Sequence, residues 1–150
     1  MILALDTDVL VAWAMSGSPG HAAARRLLEA EIRGHGGSLG LIPQVMHEFL
    51  HVATDPRRFE NPLPMNDAVR LVRQLWNAEE VIRLFPAPEV LPRTLELMES
   101  LRLGRKRTLD TALAATLECA GVRRLATFNP ADFAIFGFLD LVPAPDGLAS

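Results

Sequence analysis

Cysteine is almost absent from this chain of 150 residues: Cys119 stands alone. That excludes a disulfide framework and a cysteine-rich zinc site. A basic surplus is missing too. Lys and Arg number 15 against 18 Asp and Glu, a net charge of −3, whereas a protein that wraps duplex DNA carries an excess of cations. An enzyme that touches nucleic acid briefly is not excluded. Lysine is nearly missing, with Lys106 the one lysine among 15 basic residues. Arginine suits bidentate phosphate contact, although base composition produces the same skew. No uncharged apolar run is long enough to cross a bilayer, and Asp6 and Asp8 interrupt the N-terminus where a signal peptide would be apolar. The expectation is a soluble, cytoplasmic protein without a membrane partner. What is present, 49% apolar and 22% charged residues, is ordinary globular composition and excludes a disordered chain. The length suits one domain over 1–150, able to bury about 68–70% of its unfolded-state surface.

The pattern alternates strands with helices. Ile2–Leu5 is a continuous apolar run, as in a buried central strand. After Asp6-Thr7-Asp8 a helix begins near Val9, and residues 16–20 form a loop. A helix from about His21 to Arg33 is closed by Gly34, Gly36 and Gly37. Leu39–Ile42 is a second strand, and Pro43 opens a helix over Gln44–Ala53. Residues 57–64 form a loop or the tip of a helix hairpin, and Asn66-Asp67 cap a helix through Trp76. Val81–Phe85, Val122–Thr127 and Phe138–Val142 complete the strands. Between them lie a helix over Val90–Leu103, the basic turn Gly104–Arg107, a helix over Leu109–Ala120 capped by Thr108 and ended by Gly121, and a short turn over Asn129–Phe133. This order predicts an α/β fold with a mainly parallel sheet. Residues 143–150 read as a loose tail.

Three carboxylates look out of place. Asp6 follows the central strand, at the carboxyl end where open α/β sheets bind ligands; capping the next helix explains it equally well. Asp110 shares a helical stripe with Leu113, Ala114 and Leu117 in a helix so small and apolar that it must be largely buried. A first-turn acid gains only about 0.3–1 kcal/mol from the helix dipole, whereas desolvating a lone carboxylate costs several kcal/mol. Function therefore explains Asp110 better. Glu48 borders the apolar face of its helix beside Val45 and Val52, where most glutamates are simply solvated. Asp132 by itself reads as a turn residue. If Asp6, Glu48 and Asp110 converge, pairs about 5 Å apart repel by ~3 kcal/mol each at an effective dielectric near 20, or ~10 kcal/mol for three pairs. That rivals a domain's whole stability of roughly 5–15 kcal/mol, so the cluster must take up protons or bind a cation. Oxygen ligands select Mg²⁺ or Mn²⁺, ions that serve phosphoryl chemistry.

Four stretches in order resemble the PIN-domain ribonucleases, and among them the VapC-type toxins of bacterial toxin–antitoxin pairs: Leu5–Leu10, Pro43–Arg57, Leu109–Ala115 and Ala126–Phe133. Each motif is short; together they span nearly the whole chain. The resemblance implies a three-layer α/β/α sandwich, Mg²⁺-dependent endoribonuclease activity, inhibition by a small VapB-like antitoxin, and a homodimer. It assigns Asp6, Glu48 and Asp110 to the acidic catalytic site, with Asp6 and Asp110 nearest the metal, and Thr7 and Thr127 to its lining. The chain departs from the pattern twice. Asp8 stands where Asn is usual, and Asn129 where an acid is frequent, with Asp132 three residues on. Asn129 brings no charge, so one ion or two remain open.

Two other chemistries share these residues. His47-Glu48-Phe49-Leu50-His51 matches the H-E-x-x-H signature of zinc peptidases, but no third ligand follows at the expected spacing and Asp6 and Asp110 stay unexplained. Asp6-Thr7-Asp8-Val9 resembles the opening of haloacid-dehalogenase-type phosphatases, with Lys106 as that family's lysine, but no acid pair follows downstream. The reading preferred is in-line hydrolysis of an RNA phosphodiester. Arg57, Arg58, Arg105, Lys106 and Arg107 are candidates for flanking phosphates, or else plain solvated surface. Exposed single-stranded RNA is the expected substrate, with no DNA contact through this domain. Trp13, Met15 and Trp76 are candidates for a partner surface, although core packing explains each more simply.

Overall fold

The computed structural model of the chain describes residues 1–34 and 37–142; Gly36 and the tail expected over 143–150 lie outside them. Strands β1 (Ile2–Leu5), β2 (Ser38–Leu41), β3 (Val81–Arg83), β4 (Arg124–Ala126) and β5 (Asp140–Val142) form one sheet in the order β3-β2-β1-β4-β5. All four pairings are parallel, with Leu3 opposite Leu39 on one side and Arg124 on the other. The central strands are buried: Leu3, Leu5, Leu41 and Leu125 are all but inaccessible. The edge strands β3 and β5 are half-exposed. Continuous apolar runs at the centre are what a sheet covered on both faces demands.

Helices α1 (Thr7–Ala14), α2 (His21–Gly34), α3 (Pro43–Ala53) and α4 (Met65–Trp76) connect β1 to β2 to β3. The chain then doubles back through α5 (Val90–Ser100), a 3-10 turn over Arg105–Arg107, and α6 (Thr108–Cys119) to β4, and through α7 (Pro130–Phe133) to β5. Right-handed crossovers running in opposite directions put the two groups of helices on opposite faces. The three-layer α/β/α sandwich is thereby formed. α3 is anchored by Val45, Met46, Phe49 and Ala53, and burying a side chain such as Phe49 contributes about 1.5–3 kcal/mol. The reversal of direction at β1 opens a crevice at the carboxyl ends of β1 and β4.

Several element ends differ from the sequence pattern, each for a local reason. Thr108 does not cap α6: the 3-10 turn runs straight into the helix, and the Thr108 hydroxyl donates back to the Arg105 carbonyl at 2.8 Å. Asn66 and Asp67 lie inside the first turn of α4, where Pro64 holds the cap position and accepts the Asp67 N–H at 3.0 Å. α1 starts at Thr7 rather than Val9, because Asp6 itself is the N-cap. α5 stops at Ser100, short of Leu103, where Arg102 takes a φ of +54°. Gly121 ends α6 as expected. At φ +72° it forms a Schellman closure, its N–H on the Glu118 carbonyl at 3.1 Å and the Val122 N–H on Leu117 at 2.9 Å. Among the described residues no helix is long and apolar enough to cross a membrane.

Met15 is buried, and Trp13 and Trp76 are half-buried against the core. Arg25 lies over the Trp13 ring and Arg83 over Trp76, at 5.4 and 5.5 Å. All three therefore follow the simpler expectation of packing.

Candidate active site

Asp6 leaves β1 as the N-cap of α1, and the cap fixes its carboxylate. Its Oδ1 accepts the Thr7 N–H at 2.8 Å, and its Oδ2 accepts the hydroxyl of Thr127, the residue after β4, also at 2.8 Å. Capping and site placement, which the sequence offered as alternatives, are one arrangement. α3 begins beside it because Pro43 follows β2 directly and suits a first helical turn. One turn on, Glu48 accepts the Thr7 hydroxyl on Oε2 at 3.2 Å and the Gln44 amide on Oε1 at 3.0 Å. The same Gln44 amide reaches the Leu109 carbonyl at 3.1 Å, tying α3 to the start of α6. Asp110 lies in that first turn.

These groups line one cleft of ≈ 550 Å³ at the carboxyl edge of the sheet, together with Asp8, Arg58, Phe59 and Asn129. Asp6, Glu48 and Asp110, expected to converge, do meet here. α6 is as buried as its composition requires, but Asp110 is not: its side chain stays 33% exposed, because it points along the helix start into the cleft and not onto the buried stripe. Asp132 lies outside the cleft, exposed in α7, yet near enough for its charge to act on Asp110. Asn129 and Thr7 line the cleft and Thr127 supports it from below.

The cationic candidates separate. Arg58 lines the cleft. Arg57 is exposed and held by Asp55, whose carboxylate accepts its backbone N–H at 2.9 Å. Arg105 and Lys106 are exposed. Arg107 is no outlying phosphate contact: its guanidinium faces Asp110 at 3.7 Å, an ion pair too long for a hydrogen bond, and donates to the Asp132 carbonyl. Its Nε is buried without a hydrogen-bond partner.

Crowding and burial push the acids toward neutrality. Burial raises Asp6 to about 7, helped by the charges of Asp8 and Glu48 against the hydrogen bonds from Thr127 and Thr7. Burial raises Asp110 to about 6, with repulsion from Asp6 and Asp132 outweighing Arg107. Burial raises Asp8 as well, opposed first by the Phe128 N–H. Asp8 Oδ2 accepts that N–H at 3.1 Å and the Asn129 amide at 2.9 Å. Its Oδ1 is buried without a hydrogen-bond partner; the Val9 N–H favours its charge without reaching bonding geometry. A buried carboxylate oxygen with no donor is a place for a proton or a cation. Among the described residues no three His, Cys, Asp or Glu side chains stand grouped as a ready ligand shell. The donor set, oxygen only and partly open, suits an ion that keeps several waters, as Mg²⁺ does.

Asp8 and Gln44 are the residues the sequence pattern undervalued. Asp8 stood out only as a departure from the family pattern or as a phosphatase acid, and Gln44 carried no signal beyond preceding Glu48 by one turn. His47 and His51 are exposed and do not line the cleft. Lys106 does not line it either.

Residues 3–139 match the PIN domain family. Ribonuclease VapC33 of Mycobacterium tuberculosis is 29% identical over 136 residues, covering 91% of this chain and 92% of that protein. Among solved structures, VapC20 of M. tuberculosis, described as a sarcin-ricin loop cleaving toxin, superposes with a TM-score of 0.67 at 18% identity over 95% of this chain and 100% of that one. A toxin–antitoxin complex from Klebsiella pneumoniae gives a TM-score of 0.62 at 17% identity over 93% and 95%. With the family matched from β1 to the residue before β5, and its acidic positions gathered at one sheet edge, this chain belongs to the PIN domain family.

Proposed function

We propose that this protein is a metal-dependent endoribonuclease and the toxin of a toxin–antitoxin pair, cutting single-stranded RNA by in-line hydrolysis. The observation that carries the reading is the convergence of Asp6, Glu48 and Asp110 from three elements into one cleft. The names of the relatives, ribonuclease VapC33 and a toxin–antitoxin complex, support the activity and a small protein antitoxin as partner. A homodimer is the assembly we propose with it.

Asp6, Asp110 and Glu48 would hold Mg²⁺, or Mn²⁺ in its place. Bound there, the ion supplies Lewis-acid polarisation of the scissile phosphate and an acidified water as nucleophile. The chain's own groups do the rest. Thr7 and Thr127 pin both oxygens of Asp6, and Gln44 and Thr7 pin both oxygens of Glu48, so the acids are presented without a search through rotamers. Each pinned oxygen keeps a second lone pair for the cation. Asp6, raised to about 7, would hold the ion in its ionised form, so binding would be coupled to loss of its proton. Arg107 offsets part of the charge on Asp110, and Arg58 offers a guanidinium fork to the substrate phosphate at the cleft wall.

The test is cleavage of total RNA by the purified, antitoxin-free protein in Mg²⁺, in EDTA and in Zn²⁺, beside Asp110→Asn. Discrete fragments that require Mg²⁺ and vanish with Asp110→Asn are expected. A folded protein that cuts no RNA under any condition overturns the proposal.

A further inference from the structure

Asp8 is surplus to the helix it starts. Asp6 already caps α1, and Asp8 lies close enough for the two carboxyls to act on each other, held by the loop after β4. Two donors of that loop, the Phe128 N–H and the Asn129 amide, converge on Oδ2. Oδ1 is buried without a partner in hydrogen-bonding geometry, the Val9 N–H and the Asp6 carboxyl being the groups that act on Asp8 from that side, and the residue lines the cleft with Asp6, Glu48 and Asp110. Leaving a carboxylate oxygen unmatched is costly, and nothing in the packing of α1 requires it. Asn129 is held in turn: its own N–H donates to the Thr127 hydroxyl at 3.1 Å, the hydroxyl that donates to Asp6. A continuous set of hydrogen bonds therefore runs from Asp6 through Thr127 and Asn129 to Asp8.

We infer that Asp8 is a fourth carboxylate ligand of the cation site and that Asn129 is its positioning residue. The inference rests on the reading that the cleft holds Mg²⁺ or Mn²⁺. The two positions at which this chain departs from the family pattern touch each other across 121 residues of sequence. In this contact α1 supplies the carboxylate and the loop after β4 the amide. Exchanging the two side chains would keep the hydrogen bond and the cleft's fourth negative charge. A role for Asp8 confined to raising Asp6 would make its loss ease the ionisation of Asp6 and so tighten cation binding rather than weaken it.

Mn²⁺ titration separates these roles without relying on cleavage. Calorimetry or the paramagnetic signal of free Mn²⁺ reads affinity for the antitoxin-free parent, Asp6→Asn, Asp8→Asn, Asn129→Asp and the double exchange Asp8→Asn with Asn129→Asp. All keep side-chain shape, and circular dichroism verifies the fold. Asp8→Asn should weaken Mn²⁺ binding roughly 10-fold or more, on the scale of lost ligand support at metal sites. Asn129→Asp alone should bind Mn²⁺ more tightly and melt earlier without it, because two carboxylates then face each other. The double exchange should return to near the parent's affinity. Unchanged affinity in Asp8→Asn beside a loss in Asp6→Asn overturns the role of Asp8 and leaves the proposed nuclease standing. A double exchange that binds no better than Asp8→Asn alone overturns the exchange. A parent that binds no Mn²⁺ removes the cation reading itself, and this inference with it.

Discussion

Thr127 is fully buried, and its hydroxyl serves two neighbours at once, donating to Asp6 and accepting the Asn129 N–H. Of the hydrogen bonds that lower Asp6, this is the larger. Thr127→Val keeps the shape and removes both bonds. The variant should lose about 1–2 kcal/mol of stability in urea unfolding. Its Asp6 should rise above about 7, since a bond favouring the charged form is gone. The proposed cleavage would use the ionised form, so the acid limb of the pH–rate profile should move to higher pH. Thr127→Ser should restore both. A Val variant with an unmoved profile would show that the hydroxyl serves packing alone. Residues such as Thr127 mark the boundary of what the sequence discloses. Asp110 was legible because an acid in a small, apolar helix has few ordinary explanations; Asp6, equally a helix cap, and Glu48, ordinarily a solvated residue, were singled out by the family resemblance. Asp8 and Gln44 were not, because each is an unremarkable polar residue until its partners at Asn129 and Leu109 are brought alongside. Arg107 read as part of a basic surface turn and is instead the counter-charge of Asp110.

Elements were legible where side-chain period or a glycine decides them, and less so where tertiary context does. The apolar face of α3 and the Gly121 stop of α6 follow from local sequence. The caps do not: whether Thr108 caps depends on the turn before it, and the lengths of β3, β4 and β5 depend on which neighbours they find. Also hidden from local pattern is the tie between α2 and β4. Glu31, only 5% exposed, receives both terminal nitrogens of Arg124, at 2.5 and 3.0 Å. Burying this pair contributes little net stability, but removing one partner from such a pair costs about 3–5 kcal/mol. Arg124→Met should therefore lower the urea midpoint strongly, whereas Glu31→Leu with Arg124→Met should recover most of it. If the single and double variants unfold alike, the pair is not coupled. RNA cleavage by the double variant should match the parent, since the pair lies by the amino end of β4, away from the acids.

At the scale of the molecule, the cleft sets a conflict between folding and function. Asp6, Asp8 and Asp110 are all raised, Asp6 to about 7 and Asp110 to about 6. An acid whose folded value lies above its unfolded value of about 3.9 stabilises the fold fully below that value, and the contribution is lost as pH rises through the folded value. The window is therefore pH 4 to 7, and the metal-free protein should be more stable near pH 5 than at pH 8, the reverse of a fold held by salt-bridged carboxylates. Asp6→Asn removes an acid raised further than Asp110. At pH 8 without metal it should melt above the parent, by an amount on the order of a few kcal/mol at most, since one pKa unit corresponds to about 1.4 kcal/mol. At pH 5 most of that difference should be gone, and below about pH 4 all of it. Adding Mg²⁺ at pH 8 should raise the parent's melting temperature by mass action and the variant's much less. Thermal unfolding at both pH values, with Mg²⁺ and with EDTA, reads all of this in one set. A parent that gains stability from pH 5 to 8 in EDTA would mean that the acids are already compensated within the chain. Loss across that interval, reversed by Mg²⁺, would mean that stability was given up to keep a charged cleft ready for a cation.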